Sequence, residues 1–430
     1  LVGSEMCIRD RCILIMKIEV PKKVQTIIRT LQEHGYDAYA VGGCVRDSLL
    51  FRSPADWDIT TSAKPLEVKE IFKRTVDTGL QHGTVTVLIE KEGFEVTTYR
   101  IDGEYEDSRH PKEVIFTGNL EEDLKRRDFT INAMAYNDAA GLVDVFGGRQ
   151  DLQDKIVRCV GNPQERFTED ALRILRAVRF SAQLGFSIEE KTKEAAKILA
   201  PTLKNISAER IQTELLKLLV SKNPHYLKIA WELGITKIVL PEFDSMMEND
   251  MGEKTLKAFA YTNADKVERL AVLFANMEKT QEKSRDLAKK ILRRLRFDND
   301  TINKVSELVF WHTCPWECTK KAVRIVLSQC TPSLFPVLLN VRRAELLAEE
   351  KPDKESLEFL ERSGQFYKEI MEKKECISIK MLAVSGKDFI EMGVEPGKKI
   401  GELLSACLKI VLENPEKNTR EYLLSHFMDN

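Results

Sequence analysis

The apolar residues of this chain change period once, near Pro163, and that single change limits the folds open to it. Upstream, AYAV, DWDIT, TVTVLIE, FEVTTYR, INAMAY and LVDVF are short strand-like runs separated by turns and brief helical stretches. Val24, Ile27, Ile28 and Leu31 follow helical spacing after Pro21, with Gly35 ending the helix. Pro65 opens a second helix, PLEVKEIF, at a first-turn position. The runs on either side of Lys91, Glu92 and Gly93 read as a hairpin. Downstream, EDALRILRAVRFSAQLGF and ERIQTELLKLLV have helical period and strand-like alternation disappears. The expected fold class is an α/β domain followed by an all-α arm.

A chain of 430 residues, 43% hydrophobic and 31% charged, can bury sizeable cores and should contain two or more domains. No apolar run approaches the roughly 18 residues of a membrane span. The nine cysteines are scattered without a paired framework, which suits reduced thiols, and the chain reads as cytoplasmic. A net charge of -2 excludes a global positive field. It leaves local clusters, LKRRD (124–128) and KKILRRLRF (289–297), as contact patches for an acidic partner. LVGSEMCIRDR lacks a starting methionine, whereas MKIEVPKKVQTII from Met16 reads as a natural beginning, so residues 1–15 are expected to be foreign to the fold.

The stretch with most chemistry is VGGCVRDSLLFRSPADWDITT (41–61). On extended backbone, alternate residues share a face, which puts Asp56 and Asp58 together and Trp57 opposite. Two carboxylates this close repel unless a cation separates them, and divalent magnesium, a hard ion preferring oxygen ligands, is the common solution. A solvent-facing strand edge carrying two charges is the plainer reading of an isolated D-x-D. The preceding Gly42-Gly43 favours the metal site, because such glycines let backbone N–H groups approach a triphosphate with no Cβ in the way.

Glycine pair, spacer and D-h-D together resemble the nucleotidyltransferase superfamily, and more narrowly the tRNA nucleotidyltransferases that add CCA, with their bacterial poly(A) polymerase relatives. VGGCVRD and DWD look like the first motif of that family and RRDFTINAMA (126–135) like the second. DVFGG (144–148), EDALR (169–173) and RAVRFSAQLGF (176–186) are similar to the third, fourth and fifth. Phe51 is a departure, since glycine is common there in the family, and should affect turn geometry and not the carboxylates. The resemblance implies a nucleotidyltransferase head at 16–160, a helical neck at 161–225, a body at 226–374 and a tail at 375–430 that grip RNA. GKDFIEMGVEPGKKIGELL (386–404) resembles the tRNA-gripping tail or is a helical packing hairpin.

The implied reaction is attack of an RNA 3'-hydroxyl on the α-phosphate of CTP or ATP, releasing pyrophosphate, with two Mg2+ held by Asp56 and Asp58. Gly43, Arg46, Arg126 and Arg127 are candidate triphosphate contacts; the last two could equally pair with acids at 121–123. Asp128 resembles the residue that senses the ribose 2'-hydroxyl, or is an N-cap or turn aspartate. Arg176 and Arg179 resemble nucleotide-pocket residues or are helix surface. Asp170 and Arg173, three apart on one expected helix, can act as a template: Arg173 donates to the ring-nitrogen acceptor of C or A and Asp170 accepts from the exocyclic amine. Glu169 holds that pair.

Within the enzyme class, LQHGTVTV (80–87) resembles the full CCA type and lacks the arginine-rich character of the poly(A) branch. The polar loop at 101–115 is of the kind that CC-only relatives lack; A-only addition remains an alternative. An inactive RNA-binding relative is the non-enzyme alternative, against which the intact Asp56 and Asp58 speak. His312, Cys314, Cys318 and Cys330 lack a second close pair, so no zinc is expected, and no histidine precedes an aspartate as a metal-dependent phosphohydrolase module would require. The expected partners are tRNA, CTP and ATP, with no membrane and no obligatory protein partner.

Overall fold

The computed structural model describes residues 17–102 and 114–427. Residues 1–15 and nearly all of the loop at 101–115 lie outside the described residues. The chain divides after Pro241 into two compact units.

In the first unit, helix α1 (Lys22–Glu33) buries the apolar stripe Val24, Ile27, Ile28 and Leu31. Gly35 follows at φ +86°, a left-handed turn that glycine adopts without strain. Then come β1 (Ala38–Val41), α2 (Gly43–Leu49), β2 (Ile59–Thr61), α3 (Pro65–Ile71), β3 (Thr75–Gly79), β4 (Thr84–Ile89) and β5 (Glu92–Thr98). A two-stranded ribbon pairs β6 (Arg100–Asp102) with β7 (Val114–Phe116), followed by α4 (Leu120–Lys125), β8 (Ala135–Asn137), β9 (Gly141–Val143) and α5 (Gly148–Asp154). The main sheet has seven strands in the order β3-β4-β5-β2-β1-β8-β9. β2 runs parallel to β5 and antiparallel to β1, and β1 pairs antiparallel with β8. The expected hairpin is present, with Glu90 and Lys91 both at positive φ between β4 and β5, the geometry its tight turn requires.

Helices α6 (Pro163–Glu169), α7 (Leu172–Leu184), α8 (Glu190–Leu199) and α9 (Ala208–Leu219) follow, and short helices at Leu227–Glu232 and Thr236–Val239 complete the unit. The second unit, from Glu242, is helical throughout its described residues. Its last helices enclose a cluster of Cys376, Val384, Phe389, Cys407, Val411, Leu423 and Leu424.

The structure corrects the sequence reading at several strands, beginning with INAMAY, of which Ile131 and Asn132 lie in a 3-10 turn and only Ala135 and Tyr136 belong to β8. DWD is not part of a strand: β2 begins at Ile59, and Asp56 to Asp58 form the extended approach to it. One ladder contact reaches back, since Val41 N–H donates to the Asp58 carbonyl at 3.0 Å. Strand pairing also outlasts Pro163, because Ser187–Ile188 pairs in parallel with Ile156–Val157; two residues are too short to register as alternation.

The DVFGG segment is a helix start. Asp144 accepts from the backbone N–H groups of Gly148 and Arg149 at 2.8 and 2.9 Å, satisfying two of the donors that a helix leaves unpaired. Gly148 lies so close to the RRDFTINAMA segment that a Cβ there would come within 2.2 Å of the Thr130 carbonyl oxygen. Gly148→Ala should therefore lower unfolding free energy by about 1–3 kcal/mol through overpacking. Chemical denaturation reads this directly, and an unchanged midpoint would mean that the backbone shifts without cost.

Candidate active site

Gly42 holds φ +81° between β1 and α2, a backbone conformation that favours glycine, and a Cβ there would press on Arg127 Nη1 at 3.0 Å. Four residues beyond Gly42, Arg46 is bound by Asp47 through Nε and Nη2, each at 2.9 Å, and donates from Nη1 to Asn132 Oδ1 at 2.6 Å. Asp56 and Asp58 are exposed and Trp57 is half-buried, so the alternation expected of extended chain persists outside the strand. Desolvation of its inner side raises the Asp58 pKa; Arg127 opposes this and Asp56 adds to it. Two neighbouring carboxylates with hard oxygen donors, their repulsion only partly offset by Arg127, suit a divalent cation. Among the described residues no group of three or more His, Cys, Asp or Glu side chains gathers to hold a metal. Further coordination would thus come from water or phosphate oxygens. His312 is instead occupied by contacts with the Val309 carbonyl and Asn276.

The RRD segment follows α4, whose inward face carries Asp123 with its carboxylate fully buried. Asp123 accepts from Arg126 at 3.0 and 2.8 Å, from Arg127 at 3.4 Å and from the Thr60 hydroxyl at 3.1 Å. Burial alone would raise its pKa, but the two guanidinium groups outweigh that and lower it. Arg126 and Arg127 do pair with an acid at 121–123, as the alternative reading had it. The pairing is internal and leaves both arginines lining a cavity.

Asp128 is 8% exposed and takes two hydrogen bonds from Arg176, Nε at 2.9 Å and Nη2 at 2.5 Å. Its other oxygen accepts from Asn132 at 3.2 Å and from the Phe129 N–H at 2.8 Å. Desolvation works against the charged form, yet Arg176 prevails and the pKa drops to about 2. Asn132 thus bridges Arg46 to Asp128. Farther along α7, Arg179 is buried, donating to Glu214 at 2.8 Å and to Gln183 at 2.9 Å, so it is not helix surface. The Phe180 ring lies under Arg46, Arg176 and Arg179, at 5.2, 5.3 and 3.5 Å from ring centre to guanidinium carbon.

EDALR does not lie on one helix, which corrects the expected helical spacing of Asp170 and Arg173. Helix α6 ends at Glu169, Asp170 takes extended angles (φ -143°, ψ 102°), and α7 begins at Leu172. The break is stabilised locally, because the Asp170 carboxylate accepts from the Leu172 N–H at 3.1 Å. Arg173 pairs with Glu169 at 2.6 Å and donates to the carbonyls of Arg166 and Arg126 at 3.2 and 3.0 Å. Asp170 pairs with Arg210 of α9 at 2.6 Å. Arg210 also has a buried Nη1 without a hydrogen-bond partner.

A cavity of about 250 Å³ is lined by Arg126, Arg127, Asp128, Asp170, Leu172, Arg173, Arg176 and Arg210. Gly43, Arg46, Arg179, Asp56 and Asp58 do not line it. Sequence reasoning missed Asn132, Arg210 and Glu214. The available signal for Glu214 was its place on the apolar stripe of α9 with Ile211, Leu215 and Leu218. Arg210 had none, because its partner lies 40 residues away in sequence.

Three family models match the chain: a poly A polymerase head domain over residues 38–158, a probable RNA and SrmB-binding site of polymerase A over 185–247, and a putative tRNA nucleotidyltransferase domain 2 over 339–427. The chain is 36% identical over 412 residues to a CCA-adding enzyme of Enterococcus faecalis, covering 94% of this chain and 95% of the relative. It is equally identical over 405 residues to one of Limosilactobacillus reuteri, covering 93% and 94%. The crystal structure of the Bacillus stearothermophilus CCA-adding enzyme in complex with CTP superposes with a TM-score of 0.76 at 32% identity, covering 94% of this chain and 96% of that one.

The depressed pKa of Asp128 gives a pH signature. A carboxyl near 2 when folded and near 3.8 when unfolded contributes about 2 kcal/mol above the unfolded value, lost as pH falls through the folded one. Asp128→Asn should therefore cost about 2 kcal/mol at pH 7 and clearly less near pH 3. Urea denaturation at both values tests this; an equal cost at both would show that the ionised pair with Arg176 is not the source.

Proposed function

The chain belongs to the family of CCA-adding enzymes, and on that premise we propose that it adds C, C and A to the 3' end of tRNA from CTP and ATP. The observation that carries this reading is the cavity in which Arg126, Arg127, Asp128, Asp170, Arg173 and Arg176 converge. In the reaction the RNA 3'-oxygen forms a bond to the α-phosphorus, the bond to the bridging oxygen of pyrophosphate breaks, and the hydroxyl proton passes to solvent. Mg2+ held by Asp56 and Asp58 would supply hydroxyl acidification and neutralise leaving-group charge. Gly43, Arg46, Arg126, Arg127 and Arg176 serve the triphosphate and the nucleotide, the arginines with forked donors suited to phosphate oxygens, and Arg179, buried against Glu214, supports α7 from inside. Asp128 lines the cavity and would sense a ribose hydroxyl by exchanging one of its present contacts for it, with Arg176 keeping it ionised.

Base choice follows from donor and acceptor matching. C and A offer a ring-nitrogen acceptor beside an amine donor, which suits Arg173 and Asp170; U and G offer the reverse. A buried mismatch costs about 1–3 kcal/mol. Glu169 and Arg210 hold Arg173 and Asp170 respectively. The helix break makes this possible: Asp170 faces Arg210 and Arg173 faces Glu169, so the two templating groups do not consume each other. No single helix among the described residues is long and apolar enough to cross a membrane, and the described cysteines are free, which supports a cytoplasmic enzyme. The division of the helical region into neck, body and tail belongs to the same proposal.

The test offers tRNAs lacking their last one, two or three nucleotides with each nucleotide singly. We expect CTP alone to extend the two shorter substrates and ATP alone to complete the one ending in CC. Addition of A only, of CC only, or of long A tails would overturn the full CCA reading. Asp58→Asn should lower turnover by roughly a thousandfold or more with tRNA affinity preserved, since it removes an acid that holds the metal. In competition among four nucleotides, Arg173→Ala should raise incorporation of U and G relative to C and A by roughly tenfold.

A further inference from the structure

Helix α2 closes with a turn that favours glycine and carries phenylalanine. Arg52 N–H donates to the Asp47 carbonyl at 2.8 Å and Phe51 N–H to the Ser48 carbonyl at 3.1 Å, the paired bonds of a Schellman motif. The residue between, Phe51, takes φ +55°. An L-residue is strained there by contact between its Cβ and the backbone. Phe51 is also 86% exposed, the most exposed of the large hydrophobic side chains described. Scattered apolar residues on a surface need no explanation. An aromatic ring that is both fully presented and held in a left-handed turn does, because the fold gains nothing from either feature. Among the described residues the other non-glycine residues at positive φ are Glu90, Lys91, Lys155, Arg296 and Lys374, all charged.

We propose that Phe51 is a stacking platform for an unpaired nucleobase near the 3' end of the RNA, with Arg52 beside it on the phosphate backbone. Residues 50–55 link α2, which carries Arg46, to Asp56. Five residues span at most about 17 Å, the rise of about five stacked nucleotides. The last few nucleotides of an RNA whose hydroxyl lies at Asp56 and Asp58 therefore match in length the greatest separation of those acids from the ring. A solvent-facing aromatic next to an exposed arginine is the pairing that binds single strands without sequence preference, the ring through π-faces and the cation through phosphate. Such tolerance suits an RNA end whose sequence changes with each addition.

The inference rests on the proposed addition of nucleotides to RNA. Steady-state kinetics of CTP addition to tRNA lacking its last two nucleotides, with thermal unfolding of each variant, separates the two. Phe51→Gly relieves the backbone strain, so its thermal midpoint should stay level or rise, while KM for tRNA should rise roughly fivefold or more and KM for CTP should not move. Phe51→Trp should restore the tRNA KM, and Phe51→Leu, apolar but without a π-face, should not. A tRNA KM for Phe51→Gly equal to wild type would overturn the inference, as would full recovery by leucine. A lowered midpoint with both KM values raised would assign Phe51 a structural role instead. A wild-type protein that extends no tRNA would instead overturn the function on which the inference rests.

Discussion

The buried contact of Asp128 with Arg176 is the interaction on which the pocket depends. Asp128 ends the segment that carries Arg126 and Arg127, and Arg176 belongs to α7, so the contact fixes the α/β sheet region against the first long helix. Arg173, one turn earlier on α7, adds a second tie by donating to the Arg126 carbonyl. Desolvating such a pair costs several kcal/mol, which the charge attraction and the hydrogen bonds from Asn132 and Phe129 offset. Removing one partner would leave the other as an uncompensated buried charge. The pair thus contributes about 2 kcal/mol near neutral pH and also fixes the arrangement of the two elements it joins.

Polar contacts extend from it in both directions. Asn132 carries the network to Arg46 and Asp47, and Glu214 carries it to Arg179. The Phe180 ring lies beside three guanidinium groups, each of which also has a carboxylate partner. Asp123 holds Arg126 and Arg127 from beneath the cavity. The arginines are thus oriented by internal partners, and a nucleotide bound there as proposed would not spend binding energy on arranging them. Orientation of donors in advance lets a protein edge discriminate between bases that differ only in where their protons sit.

The sequence made legible whatever depends on local spacing. The period change separates the strand-bearing region from the helices, Gly35 marks a turn, the hairpin expected around 91–93 turns at 90–91, and the motifs at 126–135 and 144–148 bring together residues that contact one another. What depends on pairing across the fold was not legible. Asp123 sits beside Glu121 and Glu122 and looks like any acid of a short helix until α4 turns it inward. EDALR satisfies a helical pattern, and only the extended backbone at Asp170 reveals that the pattern crosses a break. Arg210 carries no local mark at all, because its meaning lies in a partner and a cavity that the chain reaches 40 residues away.

The central claim is that side chains held by ion pairs select the base, with Arg210 holding Asp170 as Glu169 holds Arg173. Competition among all four nucleotides, with Arg210→Ala and Arg210→Lys compared to wild type at matched thermal stability, tests it most directly. The account predicts that both variants continue to extend tRNA but admit U and G roughly tenfold more often relative to C and A. It also predicts that lysine, which keeps charge without the forked geometry, rescues only in part. Wild-type selectivity in Arg210→Ala would contradict the account and move base choice away from this pocket.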